Sequence, residues 1–335
     1  MLRYTLRRLG QMTLVLLALS LLIFVWLHAL PGGPVSALLG ERATPEAART
    51  LTSQLGLDQP LYVQYVRFLL SALSGNFGAS IGVQPGIPVT QVFLERFPAT
   101  VELTVCAITL AVAVGIPLGY VAARRRGGLL DTLSIIGSLI SVAIPVFFLA
   151  FLLKYVFAVK LGVLPNSGRQ DAIDATRVTG FFVLDGILTQ EWDAVLNSLE
   201  HLVLPAIALA AVPFSVIFRI TRAAVLDVQD ENYVRTAESK GLTGAVISRR
   251  HVLRNAMLPV ATTIGLQAGA LLAGAVLTER VFNFPGIGDA LALGFQQRDY
   301  PLLELLILVA AVVYMAINLV VDLSYGMIDP RVRAG

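Results

Sequence analysis

Long apolar runs alternate with shorter polar segments along this chain of 335 residues. Six of the runs approach or exceed the roughly 20 residues that a helix needs to cross a bilayer core of about 30 Å. They lie near residues 9–30, 99–123, 132–158, 201–226, 257–278 and 303–327. Because lipid offers the backbone no hydrogen-bond partners, each run must be a helix. The pattern predicts an all-α polytopic membrane protein with six transmembrane helices.

Composition agrees with this class and excludes several others. The chain is 56% hydrophobic and only 14% charged, whereas soluble domains are about 25% charged. Its one cysteine, Cys106, lies in an apolar run and cannot form an intramolecular disulfide. The three histidines, His28, His201 and His251, lack the paired spacing of a metal site. We therefore expect no metal site, and the net charge of +3 is too small to indicate a nucleic-acid partner.

The distribution of charge predicts the orientation. If the N-terminus is cytoplasmic, the inner segments contain 15 of the 25 Lys and Arg residues but only 7 of the 22 acids. Basic residues concentrate on the cytoplasmic side of membrane proteins. Both termini are therefore expected in the cytoplasm. Arg3, Arg7 and Arg8 before the first run would also suit a secretory signal peptide, but the run is long for one, which favours an uncleaved anchor.

Two outer segments interrupt the predicted spans. Residues 31–98 contain apolar positions at helical spacing, which predicts amphipathic helices packed on the membrane surface or on the bundle. A second outer insert covers residues 164–197. We accordingly divide the chain into residues 1–97, an N-terminal anchor helix with an outer segment, and residues 98–335, the main transmembrane domain.

A polar island at residues 227–255 separates two apolar runs. Asp227 or Asp230 could cap a helix of about ten residues, and Gly241 suits a left-handed end. Such a short helix is marginal alone in water. One face would carry Asp230, Tyr233, Val234, Ala237 and Gly241, while Glu231, Arg235, Glu238 and Lys240 complete the predicted docking residues. The island is either a docking helix for a soluble partner or an ordinary solvated helix.

Prolines and glycines mark two further candidate devices. Four prolines fall inside predicted spans and could serve as hinges or simply as packing features: Pro117, Pro145, Pro205 and Pro213. Pro117 stands between Gly115 and Gly119, a spacing that allows close helix contact. The outer connection 278–291 is apolar and rich in glycine, which favours either an outer gate hairpin or a hairpin packed on the bundle. Its candidate gate residues are Phe282, Phe284, Pro285, Gly286 and Gly288.

Motifs for catalysis are absent from the sequence. A phosphate-binding loop requires a lysine directly after glycine, but the three lysines follow Leu153, Val159 and Ser239. No nucleophile elbow or zinc-protease helix is present. We expect neither a catalytic nor a cofactor-binding residue, so any ATP hydrolysis must come from another chain. A secondary transporter is another class to consider, and such proteins carry ionisable coupling residues inside their spans. Here the ionisable residues of the spans mostly fall near predicted span ends, as do Glu102, Arg219, Arg222 and Asp322.

Short motifs in a fixed order carry a family resemblance over essentially the whole chain. They are Met1–Arg8, Leu55–Pro60, Pro98–Leu103, Gly115–Gly119, Tyr233–Ala237 with Lys240–Gly241, Leu253–Ala256, Phe282–Gly288, Asp299–Pro301 and Asp329–Arg331. With these motifs the chain resembles the dipeptide/oligopeptide permease B family of bacterial ABC importers. Two positions depart from the wider pattern. Leu258–Pro259 follows Gly241 at a longer spacing, and Gly33 stands where many relatives carry an acid.

The resemblance implies a type I ABC importer permease (MetI-like) fold in the bacterial inner membrane. Residues 227–259 would be the coupling (EAA) loop, whose short helix sits in a groove of an ATPase subunit. The implied partners are a paralogous permease completing a heterodimer, two ABC ATPase subunits that bind ATP and Mg, an extracytoplasmic substrate-binding protein and membrane lipid. Short peptides are the implied cargo, with nickel chelates, glutathione or haem as alternatives.

Overall fold

The computed structural model describes residues 2–29, 44–54, 58–172 and 175–328. Helices account for nearly all of its regular structure, and the described residues contain no strand beyond one isolated bridge between Ala79 and Pro88. The Pro31–Pro34 turn with Gly33, part of the Leu55–Pro60 motif, and the Asp329–Arg331 motif lie outside the described residues. The all-α prediction is confirmed.

The helices follow one another in this order: α1 (Leu2–Ala29), α2 (Pro45–Gln54), α3 (Leu61–Leu73), α4 (Val89–Arg124), α5 (Leu129–Ala143), α6 (Val146–Leu153), a π-helix (Lys154–Lys160), α7 (Phe182–Thr189), α8 (Trp192–Gln229), α9 (Asn232–Ser239), α10 (Gly244–Val246), a second π-helix (Ile247–Leu253), α11 (Arg254–Gly274), α12 (Val276–Val281), α13 (Ile287–Gln297) and α14 (Tyr300–Ile328). The segments from α10 through the second π-helix to α11 form one continuous helix. Helices α2 and α3 occupy parts of the predicted amphipathic outer segment.

Five helical stretches are long and apolar enough to cross a membrane, and a bent pair makes a sixth if it counts as one span. The bent pair is α5 with α6 and its π-helical extension, which meet at an angle of 101°. Proline disfavours the helical conformation for the residue before it, and Ile144 is extended (φ −83°, ψ 122°) just before Pro145. Six predicted spans therefore agree with the structure, but the third is broken rather than continuous.

The four candidate hinge prolines differ in their local structure. Pro145 lies at the sharp bend, whereas Pro117 lies within α4, and Pro205 and Pro213 lie within α8, without interrupting either helix. A membrane helix tolerates an internal proline when neighbouring groups or water satisfy the freed carbonyl. Only Pro145 marks a break, and a hinge function for any of the four stays a prediction.

Two compact units make up the chain, one formed by Met1–Pro98 with Pro285–Met315 and the other by Ala99–Phe284 with Ala316–Gly335. The division of the sequence at residue 98 into an anchor region and a transmembrane domain stays a prediction.

In the larger unit, α4 and α8 approach closely where the sequence has small residues. A Cβ on Gly119 would lie 2.8 Å from the Phe218 carbonyl oxygen, and a Cβ on Gly115 would lie 3.2 Å from Ile217 Cγ2. No side chain fits at Gly119 without displacing the neighbouring backbone. The close helix contact predicted from the spacing of these glycines is confirmed.

In the smaller unit, a buried aspartate organises the loop before α4. Asp299, fully buried, accepts hydrogen bonds on Oδ2 from the backbone N–H groups of Gly82 (3.1 Å) and Val83 (3.0 Å) and from the Ser80 hydroxyl. An apolar cluster that includes Val92 and Leu302 packs beside this loop. The Asp299–Pro301 motif thus fixes the start of α14 against the residues that lead into α4.

Candidate functional site

The polar island forms a short helix, α9, that begins directly after α8. Helix α8 continues to Gln229, so Asp227 is itself helical and Asp230 ends α8 rather than starting α9. Glu231 occupies the capping position in an extended conformation (φ −72°, ψ 143°), without a side-chain capping hydrogen bond. The prediction that Asp227 or Asp230 caps the helix is wrong, because the helix formed by the preceding apolar run continues into the polar residues of the island as far as Gln229.

The end of α9 has the predicted left-handed glycine. Gly241 has φ +73°, its N–H donates to Glu238 O (2.9 Å), and the Leu242 N–H donates to Ala237 O (3.3 Å). These two bonds form a Schellman motif, which satisfies carbonyls that the last helical turn leaves open. A short helix with a fixed C-terminal end results.

The apolar side of α9 is covered by the chain itself. Val234 is 2% exposed and Ala237 is 5% exposed. Both belong to a buried cluster, called here the inner cluster, together with Ala123, Ala224, Val225, Ile247, Val252 and Ala256. The predicted docking face is corrected accordingly. Its centre packs on α4, α8 and the second π-helix, since an apolar stripe in the sequence does not reveal which surface covers it.

The opposite side of α9 is polar and exposed. It presents Arg235, Thr236, Glu238, Ser239 and Lys240. Tyr233 lies at the edge, 40% exposed, and its hydroxyl accepts a hydrogen bond from Asn255 Nδ2 (2.9 Å). This polar side is the surface of α9 open to a partner, and the docking role of the seven predicted residues other than Val234 and Ala237 stays a prediction.

Polar contacts brace the helices that carry α9. Arg222 on α8 makes a bidentate ion pair with Asp131 on α5, with Nε–Oδ1 at 2.7 Å and Nη2–Oδ2 at 2.9 Å. A hydrogen bond joins the hydroxyls of Tyr120 on α4 and Ser248 on the second π-helix. Bidentate guanidinium–carboxylate pairs fix orientation as well as distance. Helix α9 therefore sits on a platform of mutually connected helices.

The sequence predicted Arg222 only as a residue near a span end and did not identify Asp131 as its partner. Asp131 lies in the first turn of α5, five residues after Arg126, which ends a short basic cluster. The Gly127 N–H donates a hydrogen bond to Asp131 Oδ2 (3.0 Å) and fixes the carboxylate. An acid in the first turn of a helix after a basic cluster was the available signal, but the partner 91 residues away required the fold.

At the candidate gate, two phenylalanines are core residues of the larger unit. Phe282 is 1% exposed and Phe284 is fully buried, within an apolar cluster of that unit. The turn between α12 and α13 places Asn283 in the left-handed region (φ +48°). Pro285, Gly286 and Gly288 follow in the smaller unit and lead into α13. The connection thus consists of two short helices, α12 and α13, joined by a turn. Its role as an outer gate stays a prediction.

Buried polar groups hold α12 in place. Thr100 donates to the carboxylate of Glu279 (2.7 Å), which is fully buried. The Lys154 ammonium donates to Val281 O (2.7 Å), and the Gly168 N–H donates to Phe282 O (2.9 Å). The roles of Glu279 and Lys154 could not be predicted from the sequence, since an isolated charge near a span end has no recognisable pattern without its partner.

The outer insert is joined to α4 by an ion pair. Arg169 Nη2 lies 2.6 Å from Glu102 Oε2, and both side chains are less than a tenth exposed. Glu102 also accepts from the Val183 N–H (2.9 Å). Nearby, burial alone would raise the pKa of Asp185, but hydrogen bonds from Thr179 and from the Gly180 N–H bring it below its ordinary value. The carboxylates here organise the insert.

Among the described residues, no group of three or more His, Cys, Asp or Glu side chains could hold a metal ion. Cys106 is partly exposed and unpaired. His201 bonds through Nδ1 to Asn197 O (2.9 Å) within its own helix. The side chains that the structure brings together serve packing, bracing and surface contact.

Known proteins resemble this chain over its full length. The dipeptide transport system permease protein DppB of Escherichia coli K12 is 41% identical over 99% of both chains. The di/tripeptide transport system permease protein DppB of Pseudomonas aeruginosa is 42% identical over 99% of both. The glutathione transport system permease protein GsiC of Salmonella paratyphi A is 36% identical over 99% of both.

The family comparison covers nearly the whole chain. Residues 1–104 match the N-terminal region of the binding-protein-dependent transport system membrane components. Residues 115–334 match the main model of that family, which includes α9 and the platform that carries it. The apolar helices and the resemblance agree on a multi-pass protein of the inner membrane. The chain belongs to the family of binding-protein-dependent transport system inner membrane components.

Proposed function

We propose that this chain is the permease subunit of an ATP-driven ABC importer for short peptides and forms half of the translocation path. The observation that carries the proposal is the full-length similarity to the dipeptide permeases, at 41–42% identity over 99% of the chain. Membership of a binding-protein-dependent family supports delivery of cargo by an extracytoplasmic binding protein.

The other partners belong to the same proposal. A paralogous permease completes the path as a heterodimer, and two ATPase subunits bind ATP and Mg²⁺ and hydrolyse ATP. This chain binds no cofactor and performs no catalysis. Its task is mechanical, because hydrolysis energy released in another chain must reach the helices that line the path.

Helix α9 is the proposed point of energy transfer. Its polar side, with Arg235, Glu238 and Lys240, contacts the ATPase, while Val234 and Ala237 transmit displacement to the inner cluster. Helix α9 and the inner cluster move as a unit, because buried side chains are closely packed and transmit strain. ATP binding can favour one conformation of the transporter only to the extent that ATP binds that conformation more tightly than the other.

The length of α8 supports this placement. A helix of 38 residues extends about 57 Å at 1.5 Å per residue, nearly twice the roughly 30 Å of a bilayer core. Helix α8 therefore projects beyond the hydrocarbon, and α9 follows its C-terminal end. We place this end and both chain termini in the cytoplasm, on the basic side of the charge distribution.

At the outer side, the segment containing Phe282, Phe284, Pro285, Gly286 and Gly288 is proposed to help close the mouth of the path. Because both phenylalanines are buried, they would hold one end of the segment in place. Any movement of the gate would then take place at Gly286 and Gly288. Crosslinks from a cysteine at Phe284 that stay the same in every nucleotide state would count against this gate.

The test is transport by the complex that copurifies with this chain. The complex is reconstituted in liposomes with ATP enclosed and its binding protein outside, and uptake of radiolabelled dialanine is measured. We expect ATP-dependent uptake that unlabelled di- and tripeptides inhibit. Inhibition by glutathione, a nickel chelate or haem, without inhibition by peptides, would reassign the cargo. Ion-driven uptake by this chain alone, without ATP, would replace the proposal with a secondary transporter.

A further inference from the structure

A cavity of about 450 Å³ lies among α1, α3 and the first turns of α14, all within the smaller unit. Its lining includes the aromatic rings of Phe24, Phe68 and Phe77 and two side chains of opposite charge, Arg67 and Glu304. A cavity with a guanidinium and a carboxyl group on its walls has the chemistry to receive a zwitterion, a molecule with charges of both signs, because a nearby cation favours the ionised form of the carboxyl group.

Arg67 and Glu304 line the cavity without forming an ion pair with each other. Neither makes a hydrogen bond or ion pair with any other residue of the described ranges 2–29, 44–54, 58–172 and 175–328. Arg67 is exposed and stays solvated, whereas Glu304 is half-buried, and leaving a partly buried carboxyl group unpaired is costly. Both side chains are therefore available to a ligand, and Glu304 would gain most from one.

The rest of the polar lining is already engaged. His28 bonds through Nδ1 to Phe24 O (2.8 Å) and through Nε2 to Gln64 Oε1 (2.9 Å). Gln64 in turn donates to Gln59 O (2.7 Å). These bonds tie α3 to α1 and fix the wall of the cavity. Arg67, one helical turn after Gln64, is held on the same side of α3.

The two helices α1 and α3 that line the cavity also carry exposed apolar side chains. Leu22 on α1 is 64% exposed and Val25 is 55% exposed, while Leu70 and Leu73 on α3 are 62% and 78% exposed. Such surfaces are suited to contact with lipid acyl chains. A helix that combines these side chains with an arginine is typical of the interfacial region, where headgroups lie.

We propose that this cavity binds the headgroup of a phospholipid that carries both a phosphate and a primary ammonium group, as in phosphatidylethanolamine. The guanidinium of Arg67 matches phosphate in a bidentate geometry. The Glu304 carboxylate accepts charge-assisted hydrogen bonds from the ammonium. The acyl chains lie against the exposed leucines of α1 and α3. A short peptide is also a zwitterion, but it has no acyl chains to cover these surfaces.

The experiment is native mass spectrometry of the full chain in detergent. An equimolar mixture of phosphatidylethanolamine, phosphatidylglycerol and phosphatidylcholine with identical acyl chains is added. We expect preferential retention of phosphatidylethanolamine, because the glycerol headgroup has no cation and the choline group has no N–H to donate. Glu304→Gln should lower its retention roughly tenfold and remove the preference. Arg67→Gln should weaken binding of all three lipids, since each has a phosphate.

The control is Arg49→Ala, which removes an exposed arginine of α2 that does not line the cavity and should leave retention unchanged. Thermal unfolding of each variant verifies folding, and the nearly isosteric Glu304→Gln keeps the test decisive if Arg67→Gln is unstable. Equal retention of phosphatidylethanolamine by wild type and Glu304→Gln would overturn the proposal. Displacement of the lipid by dialanine would also overturn it and assign the cavity to cargo. The proposal requires only a membrane location, so failed peptide transport would leave it standing.

Discussion

Single charged residues tie together segments that lie far apart in the sequence. Glu102 and Arg169 are 67 positions apart, yet they form a buried ion pair that fastens the outer insert to α4. Two guanidinium groups flank the Phe182 ring, with Arg169 at 3.8 Å and Arg177 at 3.4 Å from its centroid. Burial lowers the pKa of Arg169, while the charge of Glu102 acts to raise it. The partner, rather than the site itself, makes this buried charge tolerable.

Arg169→Met is therefore expected to destabilise the protein by about 3–5 kcal/mol, since Glu102 would be left buried without its counter-charge. The double variant Glu102→Gln with Arg169→Met should recover part of that loss. Thermal unfolding in detergent, read as a double-mutant cycle, measures the coupling. Glu102→Gln alone completes the cycle, and a loss in the double variant equal to the sum of the losses in the two single variants would show that the pair contributes no coupling.

Glycine positions make a second prediction at the residue scale. Gly119→Ala would place a Cβ 2.9 Å from Thr221 Cβ and should force α4 and α8 apart, at a cost of about 1–3 kcal/mol. Gly137→Ala is the matched control, since it also lies inside an apolar helix but has nothing within 4 Å of its Cβ. The unfolding temperatures of both variants give the comparison. A Gly119→Ala protein as stable as Gly137→Ala would contradict the close contact.

At the scale of elements, the long apolar runs were sufficient to predict where the membrane-spanning helices lie, but not the short helices α7, α12 and α13. The fourth predicted span, 201–226, became the 38-residue α8 because polar residues at both ends also joined the helix. Polarity marks where the membrane ends rather than where a helix ends. The break at Pro145 differs from the uninterrupted prolines because only there does the preceding residue adopt an extended conformation. Local sequence does not determine which proline breaks a helix.

Helix α9 shows the same limit for a candidate site. Its existence and its left-handed end at Gly241 followed from local signals, whereas the assignment of its two faces did not. The side chain of Ala237 has the same intrinsic character against a partner or against the inner cluster. Only the positions of α4, α8 and the second π-helix decide between them, and those depend on contacts distant in sequence.

The two faces of α9 predict two different defects. Ala237→Glu forces a carboxylate into the inner cluster and should destabilise the chain itself. Glu238→Arg reverses a charge on the exposed side and should leave unfolding unchanged while weakening recovery of ATPase and ATP-driven uptake. Thermal unfolding and pull-down of the two variants separate the roles. A Glu238→Arg variant that retains full coupling would argue against contact through this face.

At the scale of the whole molecule, the family and the number of spans could be predicted from the sequence, because both depend on patterns that recur along the chain. The composition of the two compact units could not. One unit combines the N-terminal 98 residues with 285–315, which requires contacts across nearly the full length of the sequence. No local pattern indicates that Asp299 bonds to the loop at Gly82 and Val83.

The sidedness of the chain gives the last prediction. Helix α8 crosses the membrane once in the proposed topology, so its N-terminal end and α9 must face opposite compartments. Single cysteines replace Asp193 and Ser239, both exposed, in a Cys106→Ser background. In intact spheroplasts, a membrane-impermeant maleimide should label Asp193→Cys and spare Ser239→Cys, and lysis should make both reactive. The reversed pattern would place α9 outside, away from cytoplasmic ATP, and would refute both the orientation and the coupling role.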